Sequence, residues 1–136
     1  MEIAKLRSVK MIWAQIVKNC GGDDIAQKIN IYVSTSSFCQ TVYDPYVNLL
    51  RAATQSFSAV VGGMDGMLVK PFDHCIRPSD EFSRRIARNI QIMEQHEFNF
   101  IQPIDPAGGS WYLEPLTEEF TQKVGQNFKK LKLMVV

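Results

Sequence analysis

Apolar side chains recur three or four residues apart through the first twenty positions: Ile3, Leu6, Val9, Ile12, Trp13, Ile16, Val17 and Cys20. That spacing sets them on one helical face, and Gly21-Gly22 ends the helix. The pattern then changes period. The run INIYVST (29–35), β-branched and aromatic, predicts a short buried strand, and SSFCQTVY (36–43) a polar-aromatic loop. Asp44-Pro45 supplies an N-cap followed by proline at the first helical position. The helix it opens carries Val47, Leu50, Thr54, Phe57 and Val60/Val61 on one face and stops at Gly62-Gly63. GMLVKPF (66–72) has strand character and is halted by Pro71.

RPSDEF opens a third helix, with Ser79 as N-cap and Asp80 and Glu81 in the first turn, where their charge complements the helix dipole. Its apolar positions are Phe82, Ile86, Ile90 and Met93, with Glu97 at the exit. FNFIQPID (98–105) is a third strand candidate, weakened by Pro103. A last helix starts at Leu116 or Thr117 and bears Phe120, Val124, Phe128 and Leu131 before the apolar tail KLKLMVV. The order α-β-α-β-α-β-α predicts an α/β fold with βαβ crossovers and a parallel sheet. Three strands are few for a sheet that needs cover on both faces. The pattern therefore reads as a single partial domain over 1–136, part of a larger α/β fold, with no linker dividing it.

Composition narrows the function classes. A net charge of +1 gives no global electrostatic case for nucleic acid or a membrane surface. No apolar run approaches the roughly 20 residues that span a bilayer. MEIAKLRSVK lacks the apolar core of a signal peptide and starts directly in helical periodicity, as if something preceded it. Cys20, Cys39 and Cys75 are far apart and free of CxxC or His-paired spacing, which points to reduced thiols, a cytoplasmic setting and no metal site.

Candidate chemistry is sparse. Neither VGGMDG nor PAGGSW meets the spacing of a P-loop or a dinucleotide turn. Both read as turns needing positive φ, although loops at the carboxyl ends of strands are also where α/β folds contact ligands. Arg84 and Arg88 share a helical face, with Arg85 offset, forming either a solvated surface or an anion or subunit contact. His74 and His96 are isolated and read as surface or helix-end residues. Ser34, Thr35, Ser36 and Ser37 cluster past a strand end, where hydroxyls can line a polar channel, but no His-Asp pair stands near to activate one. Asp23-Asp24 belongs to a turn.

Four segments, EIAKLRSVKMIWAQI, TSSFCQTVYDPYVNLLRAATQSFSAVVGG, FDHCIRPSDEFSRRIARNIQ and IDPAGGSWYLEPLT, resemble the adenosylcobalamin-dependent acyl-CoA mutases, the methylmalonyl-CoA mutase family above all. They stand in family order and cover nearly the whole chain. The resemblance implies the C-terminal half of a (β/α)8 TIM-type barrel, from the helix after strand five through the helix after strand eight. It implies a channel lined by small hydroxyl residues for the acyl-CoA arm, which would place Ser34, Thr35 and Lys70 along the substrate. It implies that Gly108, Gly109 and Glu114 lie where a catalytic member approaches the adenosyl group of its cofactor. The family's flavodoxin-like cobalamin domain carries a DxHxxG motif that this chain lacks, so no cofactor is expected on this chain alone.

Departures from the family pattern carry equal weight. Where catalytic members have Arg-x-His before the Thr-Ser, this chain has Asn30, Ile31 and Tyr32; where they have Leu-His-Thr-Asn, it has Met67, Leu68, Val69 and Lys70. Ala107 stands in place of an aromatic residue. Losing a guanidinium removes a bidentate phosphate partner that neither Tyr nor Asn replaces. The resemblance is thus to the small, non-catalytic subunit of heterodimeric bacterial mutases, whose partner is the large catalytic subunit. Two alternatives stay open: a fragment of a catalytic mutase for another acyl-CoA, of isobutyryl or ethylmalonyl type, and a half-barrel that closes its strand edges by self-association.

Overall fold

The computed structural model describes residues 1–134, which form two compact units: residues 31–106, and residues 1–30 together with the segment from Ala107 onward. In the second of these, α1 (Glu2–Asn19) packs on α4 (Leu113–Met134). Gly21, at φ 81°, turns the chain away from the end of α1, and the Gly22 N–H donates to the Val17 carbonyl. Trp13 Nε1 donates to the Ala26 carbonyl at 3.0 Å and holds the returning loop against the helix. The residues of α1 that are fully buried are Ala4 and Ser8, so the close approach is made by small side chains while Val9 and Trp13 stay partly exposed. α4 starts at Leu113, a few residues before the expected Leu116 or Thr117, and admits Pro115 in its first turn, where a missing N–H costs nothing. The Leu131 side chain and the last two residues of the KLKLMVV tail lie outside the described part of the molecule.

The other unit is a βαβ crossover with a further helix. β1 (Tyr32–Ser34), α2 (Val47–Val61) and β2 (Gly66–Leu68) follow in sequence, and the two strands pair in parallel with Tyr32 opposite Gly66 and Ser34 opposite Leu68. Both strands are shorter than their apolar runs suggested. Asp65 Oδ2 accepts from the Ile31 N–H at 2.7 Å, which ties the chain at the entry to β1 to the turn before β2. α3 (Glu81–His96) packs on α2, and Ala52, Val69, Ala87 and Ile90 form the core between helices and strand.

Four expectations are corrected. The third strand at 98–105 does not form: Asn99 adopts φ 55°, Pro103 has no N–H to give a ladder, and Ile101 and Ile104 are exposed in a succession of turns. The α3 cap is Asp80 rather than Ser79, because only Asp80 Oδ1 reaches the Ser83 N–H, at 2.7 Å. Asp44 and Pro45 lie just outside α2, which begins from Tyr46 without a side-chain cap. The buried face of α2 is also not the one drawn through its large residues: Asn48, Ala52, Ser56 and Ala59 point inward, whereas Leu50 is 70% exposed. Small residues let α2 lie close against α3 and β2, and a polar residue is tolerated inside when its hydrogen bonds are complete.

Candidate functional site

At the carboxyl ends of the two strands the polar residues named from sequence do converge. Thr35 follows β1 directly, is buried, and continues the pairing by donating its N–H to the Leu68 carbonyl at 3.1 Å. Its hydroxyl accepts from the Lys70 N–H at 2.8 Å, so this side chain closes the ladder beyond β2. The Lys70 ammonium donates to Ser37 Oγ at 3.2 Å. Ser37 opens a 3₁₀ turn, Ser37–Cys39, whose start is capped by Ser36 Oγ. Gln55, reaching from α2, accepts from the Ser36 N–H at 2.6 Å. Ser34 is exposed. Hydroxyls and one cation are therefore gathered at the strand ends, but Thr35 and Ser36 are fully engaged in holding the backbone. Among the described residues no hydrogen bond joins this cluster to a histidine or carboxylate that could activate a nucleophile.

The glycine turn belongs to the other unit and is closed on itself. Gly109 sits at φ 75°, in the left-handed region, and its N–H donates to Glu114 Oε1 at 3.2 Å. The same oxygen accepts from Arg7 Nη2 on α1 at 2.9 Å, and Ala107 is buried beneath the turn. Ser110 Oγ accepts from the Leu113 N–H and starts α4. An oxygen shared between an amide and a guanidinium anchors α4 to α1. Gly109 and Glu114 thus have a structural task in closing this turn, and all three residues, Gly108 among them, are exposed. A Cβ at Gly109 would meet no atom within 4 Å. Gly109→Ala should therefore cost only its conformational strain, about 1 kcal/mol in unfolding free energy, measurable by urea titration.

The remaining sequence candidates are spread out. Arg84 and Arg88 are exposed, Arg84 donating to the Ser79 carbonyl, while Arg85 lies 5.7 Å from the Phe82 ring centroid. His74 and His96 are exposed, as are all three cysteines. Among the described residues no group of three or more His, Cys, Asp or Glu side chains is placed to hold a metal ion, and no helix is long and apolar enough to cross a membrane.

One site was missed from sequence. Glu94, on α3, is 4% exposed, and its Oε2 accepts from Ser56 Oγ of α2 at 2.5 Å. Burial pushes its carboxyl above the ordinary range, only partly offset by the Ser56 hydrogen bond. The helical spacing Ser83, Ala87, Ile90, Glu94 was the available signal, since it sets Glu94 on the buried face of α3. A raised folded-state pKa means that Glu94 favours folding at low pH and loses that contribution as pH climbs from the unfolded value through the folded one. Glu94→Gln keeps an acceptor for Ser56 without the charge. It should raise the urea midpoint at pH 7 and leave it little changed at pH 4.

The fold and its turns define a class, an α/β protein built on a parallel βαβ crossover with polar loops at the strand ends. The family follows from comparison with known proteins. The family model described as methylmalonyl-CoA mutase matches residues 1–134. A methylmalonyl-CoA mutase small subunit from Porphyromonas gingivalis is 43% identical over 99% of this chain and 22% of its own length. The small subunit from Streptomyces virginiae is 39% identical over 97% of this chain and 21% of its own. The large subunit from Porphyromonas gingivalis is 36% identical over 98% of this chain and 19% of its own. The chain belongs to the methylmalonyl-CoA mutase family and spans about a fifth of the length of these relatives.

Proposed function

We propose that this chain is a segment of the small, structural subunit of a methylmalonyl-CoA mutase, an isomerase whose chemistry is carried by a large catalytic partner. The observation that carries this reading is the contrast within one organism: 43% identity to the Porphyromonas gingivalis small subunit against 36% to its large subunit. The site agrees in kind. Thr35, Gly109 and Glu114 are engaged within the fold, and Asn30, Ile31 and Leu68 offer no charged group to a substrate.

In this reading the chain is a single partial domain, the later half of a (β/α)8 substrate barrel. Its parallel βαβ crossover, with α3 packed on the crossover helix, supports that assignment. The subunit contact draws support from exposed aromatics in the loops, Phe38 at 95% and Tyr43 at 97% beside the strand ends, and Trp111 at 97% after the glycine turn. Rings this exposed are characteristic of surfaces that meet a partner. The holoenzyme's cofactor is adenosylcobalamin; it supplies the radical chemistry when bound, and this chain's residues hold backbone geometry and shield apolar surface.

A second reading is favoured by one observation, the assembly of Ser34, Ser37 and Lys70 at the carboxyl ends of parallel strands. There the cluster contacts an acyl-CoA, and the chain is part of an active mutase with a different acyl group. The purified protein, given adenosylcobalamin and methylmalonyl-CoA, should form no succinyl-CoA above background, and should co-purify with a mutase large subunit. Turnover by the protein alone would overturn the structural-subunit reading.

A further inference from the structure

Glu94 also faces a space. A cavity of about 180 Å³ opens beside it in the unit of residues 31–106, walled by Val60, Met64, Met67 and Phe100, with Gln91 and Gln95 at its polar side. Among the described residues the carboxyl has one hydrogen bond, from Ser56 to Oε2, and Oε1 has no protein partner. The lining holds no cation to balance the carboxylate.

Several groups around this space match positive charge. Oε1 of Glu94 accepts hydrogen bonds, and ionised it accepts the stronger, charge-assisted kind. The amide oxygens of Gln91 and Gln95 can accept further N–H donors. Phe100 presents an aromatic ring, supported edge-on by Phe57 at 5.4 Å and Phe98 at 5.7 Å between centroids, and aromatic faces attract cations. The thioethers of Met64 and Met67 adapt their shape and are polarisable. A space of this size admits a compact body of about six to eight heavy atoms, since an apolar cavity of roughly 150 Å³ holds benzene. It is too small for an acyl-CoA, whose pockets run to several hundred Å³ and more.

We propose that the cavity between α2 and α3 is a binding site for a small organic cation, an ammonium group on a compact apolar body, with Glu94 as its counter-ion. The ammonium meets Oε1, the apolar body lies against Met64, Met67 and Phe100, and Ser56 keeps Oε2 fixed by its hydrogen bond. The site is separate from the strand-end cluster and goes beyond the subunit reading, on which it does not depend.

The test uses the whole protein with methyl-labelled methionine, titrated with benzylamine and, in parallel, with its neutral counterpart benzyl alcohol. Benzylamine should shift the Met64 and Met67 methyl signals with an affinity at least about tenfold above that of benzyl alcohol, the factor that corresponds to 1.4 kcal/mol. In Glu94→Gln, which preserves the cavity's shape, that preference should vanish while benzyl alcohol binding stays as it was. Ser56→Ala, which leaves the carboxyl in place, should retain a preference for the amine. No methyl shifts in the wild-type protein, equal binding of amine and alcohol, or an undiminished preference in Glu94→Gln would each overturn the proposal.

Discussion

Asn48→Ala is expected to lower the unfolding free energy by about 3 kcal/mol, the largest effect of any single truncation considered for this chain. Asn48 is fully buried near the start of α2 and completes four hydrogen bonds. Its Oδ1 accepts from the Thr41 N–H at 2.9 Å and from Arg51 at 3.2 Å. Its Nδ2 donates to the carbonyls of Thr41 at 2.9 Å and Phe72 at 3.0 Å. One side chain thus fastens the loop after β1 and the segment after β2 to the same helix. Truncation leaves two backbone carbonyls and one N–H in a place that water reaches poorly, and the penalty comes mainly from those orphaned groups. Asn48→Asp should cost at least as much: it loses both donations and turns a carboxylate toward two carbonyl oxygens. Urea unfolding followed by circular dichroism checks both; a loss under about 1 kcal/mol for Asn48→Ala would mean that water satisfies the groups left behind.

The second large effect is expected at Asp73, in the turn leading from β2 to α3. The carboxylate is 2% exposed and accepts from Arg77 Nε at 3.1 Å, while the Asp73 carbonyl accepts from the N–H groups of Ile76 and Arg77. Burial alone would raise its pKa, but the Arg77 hydrogen bond to Oδ2, with the nearby Ser79 and Ser83 hydroxyls, outweighs burial and holds it below the ordinary carboxylate value of 3.8, even though buried Oδ1 has no hydrogen-bond partner. A depressed folded-state pKa gives stability that is complete above the unfolded pKa and is lost as pH falls through the folded one. Asp73→Asn should therefore cost about 1–2 kcal/mol at pH 7, a figure discounted because the Arg77 side chain is 58% exposed and screened by water. The gap between the two proteins should hold from pH 7 to about pH 4 and close below it. A gap that stays constant to pH 2 would assign Asp73 a role of shape and not of charge.

These two residues mark where sequence reading ran short. Helix existence was legible throughout: period in α1, the glycine stop at Gly21, and the acidic opening of α3 all recur in the fold. Facing was less so. The reading of α2 followed the large side chains Leu50 and Phe57, yet a helix that lies close to its neighbours turns its small residues inward, so Ala52, Ser56 and Ala59 are buried. Asn48 and Glu94 were invisible to a hydrophobic count because what keeps them inside is long-range hydrogen bonding, to Phe72 and to Ser56. The strand at 98–105 misled for the opposite reason: its composition is right for a strand, but a strand exists only with a partner, and Pro103 and Asn99 favour turns. Of the site residues, Ser34, Thr35 and Lys70 all lie at the strand ends, where the Thr35 hydroxyl accepts from the Lys70 N–H. Gly109 and Glu114 also meet, but the fifth-residue contact between them closes a turn, a role that spacing alone does not distinguish from ligand binding.

The central proposal, that this segment holds up a mutase without touching its chemistry, is tested most directly at Lys70, whose ammonium donates to Ser37 Oγ at 3.2 Å at the strand ends. The measurement is steady-state turnover of methylmalonyl-CoA by the whole protein combined with a mutase large subunit, comparing wild type with Lys70→Ala. A structural role predicts kcat and KM both within about twofold of wild type. A rise in KM of about tenfold or more, or a comparable fall in kcat, would place Lys70 on the acyl-CoA and contradict the account.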